Sequence, residues 1–281
     1  TDPLHYRGDP PSAPPKKSEK RLSLRESFFY ITKSKYLACL AIIVISYNLG
    51  INLVEVMWKG QVKEMYPHPN DFNTYLNNIT SLVGLVSTIA SVLIPFILLL
   101  TGWTFMALLT PIVMFITAAG FFGFQFLTPE AASFVTSIFG CTPLMLVLFF
   151  GATNNIFSKG AKYSVFDTTK ELAFIPISQE ARLKGKAAID GVASRMGKSG
   201  SSLAQQVYLL FFGSLTACAP WIAATLAVTI ALWIFSVCVL GKAFKTLAHT
   251  PRPQPVPRPA DLPSPQPLSP SPLRTPWIPQ T

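Results

Sequence analysis

Six stretches of the sequence, at about residues 36–58, 79–100, 104–127, 132–152, 187–216 and 219–241, are apolar over close to the roughly 20 residues a helix needs to cross a bilayer core. No other feature constrains the fold as strongly, because a backbone without water must satisfy its own hydrogen bonds. Half of the residues are hydrophobic and 13% are charged, against about 25% charged in an average soluble domain. The expected fold class is an all-α membrane protein with six transmembrane helices. Thr101-Gly102-Trp103 is the whole connection between the second and third stretches, which predicts a tight antiparallel hairpin. Pro95, Pro111 and Pro143 are expected to kink their helices. The uncharged run from Ser199 to Gly241 is too long for one span, and Ala219-Pro220 is where it should divide.

The cations sort with these stretches. Eight Lys or Arg precede the first, six lie between the fourth and fifth, and five follow the sixth, whereas the opposite side receives Lys59 and Lys63. By the positive-inside rule both termini are cytoplasmic. Trp58, Tyr66, Trp103 and Trp221 fall at predicted span ends, where amphipathic rings prefer the headgroup level. Residues 1–20 are polar and Pro-rich and are expected to be disordered, and the chain starts without a Met, as a fragment would. Residues 21–35 form a basic segment suited to a short helix on the membrane surface, or to a solvated linker. A six-helix bundle over 36–247 is expected to carry a cytoplasmic amphipathic segment at 153–186. In it Tyr163, Phe166 and Phe174 meet apolar surface while Lys162, Asp167, Lys170 and Glu171 meet water. In the tail at 248–281, the residues from Pro251 on hold 12 of the chain's 25 prolines and should be extended. Cys39, Cys141, Cys218 and Cys238 stand singly in apolar stretches and read as small buried hydrophobes.

Two polar stripes interrupt the grease. On the first span Asn48, Asn52, Glu55 and Lys59 recur at spacings of 4, 3 and 4, one face of a helix. Such a face lines a cavity or forms a hydrogen-bonded seam between helices, and an acid and a base together favour the cavity. On the fifth span Ser194, Lys198, Ser201 and Gln205 form the second stripe, with Asp190 below it and Lys186 four residues before Asp190. Arg195 is assigned to another face. A lysine inside a membrane calls for an anion, and Glu55 or a bound phosphate would serve Lys198. The alternative is a helix that begins near Ser199, leaving Asp190 to Lys198 in a cytoplasmic loop. Gly191 to Ser199, GVASRMGKS, has five residues between its first Gly and Gly-Lys where a phosphate-binding P-loop has four, and no strand precedes it. The sequence holds no HExxH, GxSxG or GxGxxG motif and no paired-cysteine site, so neither catalysis, a metal nor a cofactor is expected.

Three stretches, NLVEVMWK (52–59), NIFSKGAKYSVFDTTKELAFIPIS (155–178) and KGKAAIDGVASRMGKSG (184–200), resemble the ATP/ADP antiporters of plastids and obligate intracellular bacteria, the rickettsial and chlamydial nucleotide translocases. The resemblance runs from about Lys35 to Leu247. It implies a major-facilitator-like carrier of twelve helices, of which these are the carboxyl-terminal six. It implies exchange of ATP for ADP by alternating access, with proton-coupled nucleotide import, or a truncated scaffold that does not transport, as the alternatives. The implied partners are ATP and ADP, the lipid bilayer and the missing amino-terminal half; the implied location is the inner membrane of an intracellular bacterium or a plastid-type envelope. The substrate residues it implies are Glu55 and Lys198, with Lys59, Asn48, Lys184, Lys186 and Asp190 as further candidates. Asn52 enters the list through the stripe on the first span.

Overall fold

The protein is described by a computed structural model over residues 24–249; the disorder expected of 1–20 and of the tail lies outside these residues, except that 248 and 249 are still helical. Among the described residues every regular element is a helix. They run α1 (Leu24–Lys33), α2 (Lys35–Met65), α3 (Pro69–Thr101), α4 (Trp103–Gln125), α5 (Pro129–Phe139), α6 (Pro143–Ala161), α7 (Asp167–Ala173), α8 (Gln179–Ala188), α9 (Ser194–Phe212) and α10 (Leu215–His249). A π-helical turn over Lys162–Phe166 joins α6 to α7, and a second over Ile189–Ala193 joins α8 to α9. Both joints are continuous, so 143–173 and 179–212 are each one long rod. The short α1 lies within the basic segment 21–35 and packs on α8.

The helix ends follow local chemistry. Ser34, Thr128, Thr142 and Ser178 each accept a backbone N–H of the first turn as N-caps. Gly102 is the only residue between α3 and α4, at φ 80°, which delivers the expected hairpin. Pro143 does not kink a helix. Gly140 ends α5 in the left-handed conformation, Pro143 opens α6, and the axes meet at 77°. The break between the last two rods also differs from the expected Ala219-Pro220. Gly213, at φ 75°, closes α9, Ser214 caps the next helix through Ala217 N–H, and Pro220 lies inside α10. A left-handed glycine followed by a serine cap stops and restarts a helix, which outweighs a proline near the first turn.

Residue contacts give the directions. Tyr47 meets Ser158 and Trp58 meets Gly151, so α2 and α6 are antiparallel. Thr117 meets Asn154 and Gly120 meets Phe150, so α4 and α6 are antiparallel. Leu37 faces Gly185, Asn48 faces Gly197, and Asn52 binds Gln205, so α2 and the α8–α9 rod are parallel. Gly50 meets Leu226 and Gly60 meets Leu215, so α10 returns antiparallel to α2. The long rods alternate up and down through the chain.

α2 is the hub, with Tyr47 at its middle. The Tyr47 ring stacks on Phe166 at 4.1 Å, stands edge-on to Trp233 at 5.8 Å, and donates its hydroxyl to the Ser158 carbonyl at 3.0 Å. Among the described residues four helices are long and apolar enough to cross a membrane, α2, α3, α4 and α10, and the bent α5–α6 pair makes five. The fifth expected span, 187–216, is helical as far as Phe212, but with its serines, glutamines and two cations it is less apolar than these helices. The apolar surface is otherwise turned outward: Leu99 and Leu100 of α3, Phe134 of α5 and Leu210 and Phe211 of α9 are exposed. A soluble protein rarely exposes so much, and a bilayer accepts it.

Three smaller expectations are corrected. Of the segment 153–186, residues 153–161 complete α6. Phe166 and Phe174 are buried as expected, but Tyr163 is exposed and Lys170 is drawn in by two carboxylates. Trp58 and Trp103 are buried rather than interfacial, the latter donating Nε1–H to the Thr169 carbonyl at 2.8 Å. All four cysteines are free, but only Cys218 is buried and Cys238 is exposed.

Candidate functional site

The first polar stripe forms as its spacing requires, and divides by level. Asn48 and Asn52 each donate their amide to the carbonyl four residues earlier, Val44 at 2.8 Å and Asn48 at 2.7 Å. Their side of α2 lies against α9, where Gln205 donates to the Asn52 carbonyl at 3.2 Å. At this level the asparagine amides are spent on their own helix, and the hydrogen bond across to α9 comes from Gln205. Two turns further up, Glu55 and Lys59 face a cleft of about 150 Å³ between α2, α3 and α6, together with Thr80, Asn155 and Lys159.

Glu55 is the electrostatic centre of that cleft. Its Oε1 receives Lys59 Nζ at 2.7 Å and Lys159 Nζ at 2.8 Å. Lys59 follows from helical spacing, but Lys159 sits in the connection after the fourth stretch by sequence and enters the site because α6 runs antiparallel beside α2. Its signal in the sequence was the i, i+4 register of Asn155 and Lys159 on one helix face.

The second stripe is real as a helix and different as a site. No loop intervenes, since helix is continuous from Gln179 to Phe212. Ser201 and Gln205 are buried against α2, at the one place where α9 comes close enough that a Cβ on Gly197 would stand 2.7 Å from the Ile45 carbonyl oxygen. Lys198, one residue round, points away from that seam and is exposed. Among the described residues it forms no ion pair. Glu55 does not neutralise it: Lys198 stands at the level of Asn48, seven residues or about 10 Å of helix rise below Glu55. Arg195 shares the exposed side with Lys198 rather than occupying another face, because three residues of regular helix bring side chains back to neighbouring positions.

The remaining site residues form a clasp between α7 and the α8–α9 rod. Asp190, in the second π-helical turn, accepts Lys170 Nζ at 2.9 Å, and Asp167 shares the same ammonium at 3.4 Å. Lys186 reaches Glu171 at 2.7 Å. Lys186 and Asp190, although four residues apart, are not paired with each other, each having an opposite charge on α7 instead. Lys184 binds Glu180 at 2.6 Å on the exposed side of α8, and that ammonium holds the Glu180 carboxyl below its usual range. The structure thus separates the eight sequence-derived candidates into a cleft (Glu55, Lys59), a seam (Asn48, Asn52), an exposed cation (Lys198) and a charged clasp (Asp190, Lys186, with Lys184 beside it).

Long rods of alternating direction with apolar outer faces are the architecture of a polytopic membrane protein. The chain belongs to the TLC ATP/ADP transporter family, whose profile matches residues 2–244. It is 44% identical over 245 residues to ADP,ATP carrier protein 1 of Chlamydia trachomatis, covering 87% of this chain and 46% of that one. To ADP,ATP carrier protein 1 of Rickettsia typhi it is 38% identical over 252 residues, 89% of this chain and 50% of that one. The Plastidic ATP/ADP-transporter of Solanum tuberosum is 38% identical over 232 residues, 83% of this chain and 37% of the plastid protein. The chain spans about half the length, or less, of these relatives. No solved structure matches it.

Proposed function

We propose that this chain is the carboxyl-terminal half of a membrane carrier that exchanges ATP for ADP by alternating access. The names of its relatives and its share of their length support this. In this reading the bent α5–α6 pair and the charged α8–α9 rod join the four plainly apolar helices to make six spans, with both termini in the cytoplasm. The substrate lies between two such halves, as in carriers built from repeated six-helix units.

The observation that carries the reading is Lys198. Its ammonium stands exposed in the second turn of α9, level with Asn48 near the middle of α2, with no ion pair among the described residues. A charge at that depth costs about 2.5–3.5 kcal/mol on insertion scales unless it faces protein or a wet cavity. An anion supplied from beyond this chain, a nucleotide phosphate, offsets that cost. Asn48 and Asn52 then set the spacing of α2 and α9, while Asp190, Lys186 and Lys184 hold the cytoplasmic end of the rod.

The test is co-reconstitution of this chain with the amino-terminal half of the same carrier, followed by uptake of labelled ATP into vesicles loaded with ADP. Uptake that requires internal ADP, falls more than about tenfold in Lys198→Ala and recovers in part in Lys198→Arg is the expected result. Uptake driven by a pH gradient without internal ADP would assign proton-coupled import instead. A reunited carrier that takes up no nucleotide would leave the chain a scaffold.

A further inference from the structure

The cleft above Asn52 carries more positive charge than it neutralises. Two ammonium groups share one carboxylate oxygen, Glu55 Oε1, at 2.7 and 2.8 Å, so the cluster of Glu55, Lys59 and Lys159 holds one net positive charge. The carboxylate side chain is only 17% exposed, while the side chains of Lys59 and Lys159 keep 44% and 38% of their surface open. The anion is therefore inside and the cations reach into open space. One turn before Lys159, Asn155 lines the same cleft with its Nδ2 committed to the Gly151 carbonyl at 3.0 Å and its buried Oδ1 without a hydrogen-bond partner. An unpaired buried acceptor and a surplus cation in one cleft are the marks of a site whose second ligand set comes from outside.

We propose that Lys159 is a phosphate-binding residue of the carrier, paired with Lys59, and that Glu55 is their resident counter-anion, displaced when a nucleotide polyphosphate enters. The proposal rests on the carrier reading above. Chemically it is an exchange of one anion for another on the same two ammonium groups: the empty cleft is satisfied by a carboxylate, the loaded one by phosphate oxygens. Lys59 comes from α2 and Lys159 from α6, so a phosphate between them also ties these helices together at the moment Glu55 lets go.

In the reunited, reconstituted carrier, Lys159→Gln is expected to raise KM for ATP about tenfold or more, with a smaller rise for ADP, because the lost contact is to phosphate charge. Lys159→Arg should restore most of the affinity. Glu55→Gln, which removes the competing anion, should lower KM for ATP and strengthen inhibition by inorganic pyrophosphate, while slowing turnover. A structural ion pair predicts otherwise: Lys159→Gln would lower the maximal rate and the melting temperature with KM and the ATP-to-ADP ratio unchanged, and that outcome overturns the proposal. Should the Lys159→Gln carrier fail to fold, the Glu55→Gln arm decides alone, and an unchanged or higher KM with no change in pyrophosphate inhibition refutes it. The two failures are distinguishable. A wild-type carrier that exchanges nucleotide while these variants keep wild-type KM removes only the role of Lys159, whereas a silent wild type removes the carrier reading itself.

Discussion

Replacing Gly197 by alanine tests how α9 sits on α2, and a neighbouring glycine supplies the control. A Cβ at Gly197 would lie 2.7 Å from the Ile45 carbonyl oxygen, 2.8 Å from Asn48 Cβ and 3.2 Å from Ile45 Cα. Two of these three atoms are backbone, so no side chain can swing aside, and the helices must part by up to about 1 Å to reach ordinary contact at roughly 3.5–4.0 Å. Overpacking of this kind costs about 1–3 kcal/mol. Alanine gains about 0.8–1 kcal/mol over glycine in helix propensity at either position. At Gly200 that gain comes free, since the nearest atom to a new Cβ is Leu49 Cδ1 at 4.0 Å. Comparing Gly197→Ala with Gly200→Ala cancels the propensity difference and leaves the overpacking cost of about 1–3 kcal/mol. At about 2–4 °C per kcal/mol for a chain of this size, Gly197→Ala should melt some 2–12 °C below Gly200→Ala. Thermal unfolding of the two purified variants in the same detergent, followed by loss of the monodisperse peak, measures it. Equal melting temperatures, or the reverse order, would show that α9 is not seated on α2 along Gly197, Ser201 and Gln205.

Three further outcomes follow from the packing. Gly213→Ala should lose about 1 kcal/mol by forcing a Cβ into a left-handed residue, whereas Pro220→Ala should leave the melting temperature unchanged or raise it; the opposite ranking would return the helix break to Ala219-Pro220. Lys170→Met should destabilise more than Asp190→Asn, because it leaves Asp167 and Asp190 facing each other without their shared cation, and a double-mutant cycle on thermal unfolding should give a Lys170–Asp190 coupling of about 1 kcal/mol. Tyr47→Phe keeps the ring stack on Phe166 and removes only the donor to Ser158, so a loss of about 1 kcal/mol is expected in the same assay, and no loss would mean that the buried carbonyl is satisfied elsewhere.

The sequence by itself determined the class of this protein. Long apolar stretches admit few structures in a membrane, the one-glycine link at Gly102 leaves only a hairpin, and helical spacing is enough to line up Asn48, Asn52, Glu55 and Lys59. Helix stops were legible where the local signal was read in full: Gly213-Ser214 carried both halves of a stop and restart, which Pro220 alone did not.

What the sequence could not determine is which charges meet. Lys186 and Asp190 have pairing spacing, but the π-helical turn between α8 and α9 and the approach of α7 give each a different partner. Glu55 and Lys198 are both membrane charges of opposite sign, yet the parallel register of α2 and α9 sets them two turns apart, while the antiparallel return of α6 brings Lys159, more than a hundred residues away in the chain, onto the Glu55 carboxylate. Periodicity acts within one helix and fixes a face. Coulomb energy falls off over a few ångströms and depends on the axial register between helices, which only their packing decides.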